Sequence, residues 1–337
     1  MKRFILISMI VLAAAAGAWG QTLADFQAGF TVFSADMAST LSYNATVGNN
    51  WSDGYIGGFP HFGVGLAVGM TAVPASSIEA FFTAMDVTMP DSLKTFGLPV
   101  PAAALSAKLG GLILPFDVGL KAMVLPSSVA SVLSASGVTA DYSLIGGNIR
   151  FAVLKENILL PDVSIGAGYN RLKGSIQMPL NIATQTYSFD PGTGTQTLTV
   201  TDPDMSMEWT TDSFDFTLQV SKSLLFLRPY AGVGYSLGKS TVSGGMAASM
   251  VYDDGTGPVT LDSAGVAQLK SELAVAGIDV PDISADGFMF GSESTSPVLR
   301  VYGGLSFEIL VIKLDTTVTY VPATKSLGAS AMVRFQL

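Results

Sequence analysis

The sequence predicts an all-β fold: a transmembrane antiparallel up-and-down β-barrel of about ten strands, within a range of eight to twelve, with an N-terminal amphipathic helix and helical extracellular loops. Three observations carry this expectation. First, the 337 residues are 49% hydrophobic and 13% charged, with a mean hydropathy of +0.47, whereas an ordinary soluble domain is roughly 25% charged. Yet beyond the N-terminus no apolar run reaches the length of a membrane helix, the best candidate, Leu112 to Leu125, being cut by Pro115, Asp117 and Lys121. Second, apolar residues recur with a period of two, the pattern of a strand with one greasy face. Third, the connections between these segments alternate between long and short, with only the last of the long set, 321–324, short.

In chain order, residues 1–20 read as a secretory signal peptide: Lys2 and Arg3 precede an apolar stretch, Phe4 to Gly17, and Ala18-Trp19-Gly20 offers small-x-small cleavage near Gly20. Without Lys2 and Arg3, 15 basic residues face 26 acidic ones, a net charge of −11. That balance disfavours nucleic acid and anionic membrane surfaces as partners. Cys is absent and His occurs once, which excludes a lipoprotein anchor, disulfides, thiolate clusters and multi-histidine metal sites.

Residues 21–59 are expected to form a helical plug or a periplasmic segment. From Asp25 to Leu41, Phe26, Phe30, Phe33, Met37 and Leu41 follow at helical spacing. Such a helix plugs the lumen beside the glycines of the first strand, where another element can approach closely, or lies at the periplasmic interface.

Residues 60–337 are expected to be the barrel. Strands are predicted at 62–72, 103–113, 116–125, 142–154, 162–177, 207–220, 225–239, 297–309, 312–320 and 325–337. In the first, Phe62, Val64, Leu66, Val68 and Met70 share one face, and Gly63, Gly65, Ala67 and Gly69 the other. The long connections, 73–102, 126–141, 178–206 and 240–296, match extracellular loops, and those at 114–115, 155–161, 221–224 and 310–311 match periplasmic turns.

A lipid-facing Arg or Lys costs about 2–4 kcal/mol at mid-membrane, so strand charges belong on the lumen face. In this register they are Lys108, Asp117, Lys121, Arg150, Asp162, Asp215, Arg228, Arg300, Glu308, Lys313, Asp315 and Arg334, seven basic and five acidic. Glu208 and Asp212 fall outside the pattern and are assigned to a sixth strand continuing above the membrane. Outward aromatics sort by end, with Phe62, Phe116, Phe151, Phe307 and Phe335 near the periplasm and Tyr169, Tyr235 and Tyr320 near the outer side, as two girdles.

Two long loops carry helical patterns with greasy faces: Ser76 and Glu79 form a capping box ahead of Ile78, Phe81, Phe82 and Met85, and Asp262 or Ser263 precedes Val266, Leu269 and Leu273. These residues pack together as a lid or frame a pocket for an apolar ligand. His61 stands alone, at the end opposite to where ten-stranded outer-membrane proteases act. The acidic groups Asp253-Asp254, Asp202 with Asp204, and Asp279, Asp282 and Asp286 lack the spacing of a calcium loop. No enzyme activity, metal or cofactor is expected.

The terminal segment alternates Leu327, Ala329, Ala331, Val333, Phe335 and Leu337 with Gly328, Ser330, Met332, Arg334 and Gln336. It resembles the terminal strand signal of bacterial outer-membrane barrels, with Val333, Phe335 and Leu337 as the assembly signal, which implies the barrel-assembly machinery as a partner beside outer-membrane lipid. Asn50 to Gly65, NWSDGYIGGFPHFGVG, resembles the lead-in to the first strand of a poorly characterised family of spirochaete-type outer-membrane barrels. The layout of plug and helical loops is similar to that of long-chain fatty-acid transporters. The expected location is the bacterial outer membrane. The expected function is capture or passage of small hydrophobic molecules; the alternative is a structural or surface-interaction, adhesin-like protein without an open pore.

Overall fold

A computed structural model describes residues 20–57, 62–84, 89, 91–110, 114–135, 137–179, 184–189, 194–275, 283–284 and 287–337. Ten long strands form a closed antiparallel barrel: β1 (Phe62–Val73), β2 (Leu98–Gly110), β3 (Phe116–Val124), β4 (Thr139–Leu154), β5 (Asp162–Pro179), β7 (Gln196–Ser221), β8 (Leu227–Asp253), β11 (Gly287–Ile309), β12 (Ile312–Val321) and β13 (Ser326–Gln336). Short strands β6 (Gln185–Phe189), β9 (Val259–Thr260) and β10 (Ile283–Ser284) extend the outer hairpins. Each barrel strand pairs with its neighbours in sequence, and β13 returns to β1 with Val64 opposite Phe335 and Met70 opposite Ala329. Closure leaves no unpaired edge, the condition for a sheet to sit in hydrocarbon.

The alternation in the sequence is the alternation of the wall. On β1, Val64, Leu66, Val68 and Met70 face outward, while Gly63, Gly65 and Ala67 are covered from inside. Leu105, Leu120, Ile145, Ile165, Phe216, Val233, Leu305, Val318 and Val333 continue this exposed apolar surface around the barrel. A water-soluble fold does not present such a contiguous patch, so the surface is a lipid-facing belt. The outward aromatics lie toward its two borders, and Tyr169 packs on Phe214 with ring centroids 5.2 Å apart. The outward-facing Asp212 accepts a 2.5 Å hydrogen bond from the Tyr169 hydroxyl and lies 3.7 Å from Arg171, which marks the upper border of the belt there.

Three strands run well past the expected limits. Residues 196–206, 240–253 and 287–296, read from sequence as loop, are strand. Above the belt neither face needs to be greasy, so Ser, Thr and Gly replace the alternation and the pattern fades while the pairing continues. The loops also hold helices: α2 (Ala75–Ala84) and α3 (Asp91–Phe96) between β1 and β2, α4 (Ser127–Ala135) between β3 and β4, and α5 (Ser263–Val275) between β9 and β10. The two apolar loop helices expected from sequence correspond to α2 and α5; α3 and α4 are too short to announce themselves by period.

Before the barrel, helix α1 (Gly20–Asn44) packs against α2, β8 and β11 at the end that carries the long connections, which is the outer end. Its C-terminal half enters the outer end of the lumen, where Leu41 packs among Val73, Val100, Leu144, Leu172 and Val242 from five strands, Tyr43 meets Val298 and Val321, and Ser42 meets Ser240. Below it the lumen is filled by residues 45–57, an irregular segment that descends from α1 toward the start of β1. This path puts the N-terminal turns of α1 at the outer end of the barrel. The chain has no cysteine, so Val32→Cys, at a half-exposed position of α1, is expected to react with a membrane-impermeant maleimide on intact cells. Labelling only after lysis would contradict this orientation.

Candidate functional site

The site is the junction of the descending segment with the lumen wall. At its top, Asn44 Nδ2 donates to Thr71 Oγ1 at 2.9 Å and to the Val100 carbonyl at 3.0 Å. Lys121 Nζ then donates to the Ala45 and Val47 carbonyls at 2.6 and 2.8 Å, and Lys108 Nζ to the Asn49 carbonyl at 2.8 Å. Lower down, Gln219 Nε2 donates to the Trp51 carbonyl at 2.8 Å, and Arg150 Nη1 to the Asp53 carbonyl at 2.6 Å. At the bottom the Ile56 amide donates to Asp117 at 3.0 Å. An irregular backbone cannot satisfy its own carbonyls, and buried wall cations need acceptors; each supplies what the other lacks.

Two side chains of the segment fix its depth. Trp51 is fully buried, with Lys108 Nζ 5.4 Å and the Arg334 guanidinium 5.0 Å from its ring. It lies against Gly63, where an added Cβ would come within 2.7 Å of the ring, so β1 has a glycine where the plug needs room. Asp53 is the second anchor: Arg334, Lys313 at 2.9 Å and Arg228 at 3.3 Å converge on its carboxylate from β13, β12 and β8.

The twelve charges assigned to the lumen face lie in the interior, and the structure joins them in networks. Arg150 forks onto Asp117 from the adjacent strand. Arg300 forks onto Asp215 at 2.7 and 2.9 Å across β8, whose Ser236 also accepts from it. Arg334 Nε donates to Asp315 at 2.7 Å. Arg228 meets Glu308 at 2.8 Å, Glu156 at 3.1 Å and Asp162 at 3.4 Å, and Lys313 lies 3.3 Å from Glu308. Lys108 and Lys121 complete the set by binding plug carbonyls. Asp53 and Glu156 are the residues that strand periodicity missed. The signal for them was the excess of two cations among the wall charges, which called for acceptors from outside the strands; plug carbonyls answer it at Lys108 and Lys121, and Asp53 and Glu156 add carboxylates.

At the outer end of the lumen, Phe33, Met37 and Leu41 of α1 are buried with Ile78 of α2, Met89 and the wall residues Val73, Val100, Leu144, Leu172 and Val242, and Trp209 packs against this cluster. The Ser77 hydroxyl bonds to Asp36, tying α2 to α1. Phe26 and Phe30 lie on α1, Phe81 and Phe82 on α2, and Leu269 and Leu273 on α5; their side chains lie outside the described ones, as does all of Met85. Val266 is buried, but the cluster of Ile78 does not include it. A cavity of about 60 Å³ beneath the mouth, lined by Tyr43, Asn44, Thr71, Arg300 and Thr317 among others, holds a few waters at most. A hollow of about 520 Å³ at the outer rim is bordered by Asp141, Lys173 and Glu208 beside Trp209, and is polar and open.

The remaining motifs do not add a site. His61, Asp279, Asp282 and Asp286 lie outside the described residues, as does the side chain of Asp202, and Asp204 accepts from Gln177 at 2.7 Å. Asp253 and Asp254 cap a turn, and the Thr256 hydroxyl and amide hold the Asp254 carboxyl below its usual range. Among the described residues no group of three or more His, Cys, Asp or Glu side chains is placed to hold a metal ion. Val333, Phe335 and Leu337 lie on the outer face at the closing seam.

A family described as "Family of unknown function (DUF6588)" matches residues 67–321. No curated protein matches the sequence. Among solved structures, the translocator domain of the autotransporter NalP from Neisseria meningitidis is similar at 10% identity and a TM-score of 0.38, over 91% of this chain and 99% of that one. The outer membrane protease OmpT from Escherichia coli is similar at 9% identity and a TM-score of 0.34, over 82% and 96%. The toluene transporter TbuX from Ralstonia pickettii follows at 8% and 0.23, over 82% and 89%.

Proposed function

The chain belongs to that family of unknown function, and we propose that it is an outer-membrane barrel, closed at rest, that admits small molecules when residues 45–57 are displaced. The observation that carries this reading is how the segment is held. Its contacts with the wall are mainly hydrogen bonds to single carbonyls and one carboxylate, Asp53, shared by three basic side chains. Polar contacts of this kind can be exchanged for water one at a time, and the wall left behind, lined by charges with Ser, Asn and Gln, is a hydrated path. A hydrophobic molecule would not travel far along such a path, so the apolar cluster of Phe33, Met37, Leu41 and Ile78 at the mouth is the place of its capture. The terminal strand, with Val333, Phe335 and Leu337 outward, is the segment that the barrel-assembly machinery would engage.

Dodecanoate is a suitable probe. Native mass spectrometry of the detergent-solubilised mature protein is expected to find a one-to-one adduct that Ile78→Asp abolishes. Absence of an adduct would remove the capture step. A second reading, a surface protein without a pore, is favoured by the tight packing of that same cluster over a filled lumen. It would gain ground if no variant of the plug conducts.

A further inference from the structure

The inner rim of the barrel is apolar where a water-exposed rim would be polar. The turn between β4 and β5 exposes Ile158 and Leu159 at 95% and 89%, and the turn between β7 and β8 exposes Leu225 at 93% beside Leu224 and Phe226. The turn between β11 and β12 exposes Leu310 at 94%. These turns are neighbours, because β5 pairs with β7 and β8 with β11. They are also cross-linked: Lys222 Nζ bonds to carbonyls of Asn157 and Leu160, the Ser223 amide to Glu156, and the Glu308 amide to the Phe226 carbonyl. The result is one braced apolar arc.

Backbone conformation argues that these side chains are there for a purpose. Leu225 and Leu310 have φ of 58° and 55°, a region where a leucine costs roughly 1–2 kcal/mol and Gly or Asn would be cheaper. In the short outer turn the same conformation is taken by a lysine, Lys325 at φ 54°. The two ends of the barrel thus fill one demanding position with opposite chemistry.

The belt supplies the second argument. On β7 the outward apolar residues are Phe214, Phe216, Leu218 and Val220, and Asp212 ends the run above. Six steps of about 3.3 Å give about 20 Å of strand, or about 15 Å of height at a tilt near 40°, against an apolar band of about 25 Å. The leucine turns lie directly below Val220 and continue the same surface.

We infer that the inner rim from residue 158 to residue 310 is immersed in the acyl chains of the inner leaflet, with Ile158, Leu159, Leu225, Phe226 and Leu310 as its lipid contacts. Phospholipid is the occupant because the arc is continuous with the lipid-facing belt and closes its shortfall in height on β7. The absence of cysteine makes the test direct. Ile158→Cys, Leu225→Cys and Leu310→Cys are each labelled with bimane in the mature protein, reconstituted into phosphatidylcholine vesicles with or without brominated acyl chains. Val301→Cys in the belt and Thr256→Cys in an outer loop serve as references. Bromolipid is expected to quench the three rim labels to at least about half the extent seen at residue 301, and iodide to quench only residue 256. Rim labels quenched by iodide as strongly as residue 256, and untouched by bromolipid, would put the rim in water and overturn the inference. Three positions are used so that one variant that fails to fold does not decide the outcome.

Discussion

Replacing Arg334 with methionine is expected to cost the barrel about 3–5 kcal/mol, the range for a buried ion pair that loses one member. Arg334 is almost wholly buried and joins Asp315 on β12 to Asp53 on the plug, while stacking on Trp51. Its removal leaves Asp315 without its cation in the interior, whereas Asp53 keeps Lys313 and Arg228. Adding Asp315→Leu to Arg334→Met is therefore expected to recover much of the loss, because an apolar pair can replace a buried ionic one at little cost. Arg334→Lys is expected to fall between, since an ammonium cannot fork onto two carboxylates as a guanidinium does. Urea unfolding in detergent micelles measures all three, and a loss under about 1 kcal/mol for Arg334→Met would mean that water already reaches this network.

Trp51→Ala carries the second large effect, again about 3–5 kcal/mol for a fully buried aromatic reduced to a methyl group. Its consequence is local, because Trp51 belongs to the plug and not to the wall. The void opens between Gly63, Lys108 and Arg334, and both cations lose a ring that helped offset their burial. Amide hydrogen exchange is expected to accelerate across residues 45–57 while the belt portions of β1 and β13 stay protected. Equal acceleration in the plug and in those strands would show that Trp51 supports the barrel as a whole.

What the sequence revealed follows from which environment imposes a rule. Within the belt every outward position must be apolar and every charge must turn inward, so β1, β13 and the twelve lumen charges were legible from period and sign. Above the belt that rule lapses, and the upper parts of β7, β8 and β11 read as loop although they are strand. The helix α1 was legible from Phe33, Met37 and Leu41, but its partners were not: an apolar face says that it must be buried, and the cover comes from α2 and from Val73, Val100, Leu144, Leu172 and Val242 at the outer end of the lumen. Residues 45–57 have no period: past a turn whose amides at 45–47 and 49 bond to carbonyls three or four residues back, their carbonyls are satisfied by wall side chains and not by a ladder. The glycines of β1 signalled that something approaches the wall; the approaching group is Trp51, not a helix. Asp53 was hidden for the same reason, and only the excess of positive charge in the lumen pointed toward it.

The central claim is that residues 45–57 form a releasable closure held through Asp53. Single-channel recording in planar bilayers tests it most directly, comparing the mature protein with Asp53→Asn, which keeps the side-chain shape and removes the charge that Arg334, Lys313 and Arg228 share. The account predicts a wild-type protein that is closed at low voltage and a variant that opens in discrete steps. Steady conductance in the wild type, unchanged by the substitution, or a variant as silent as the wild type at every voltage, would contradict it.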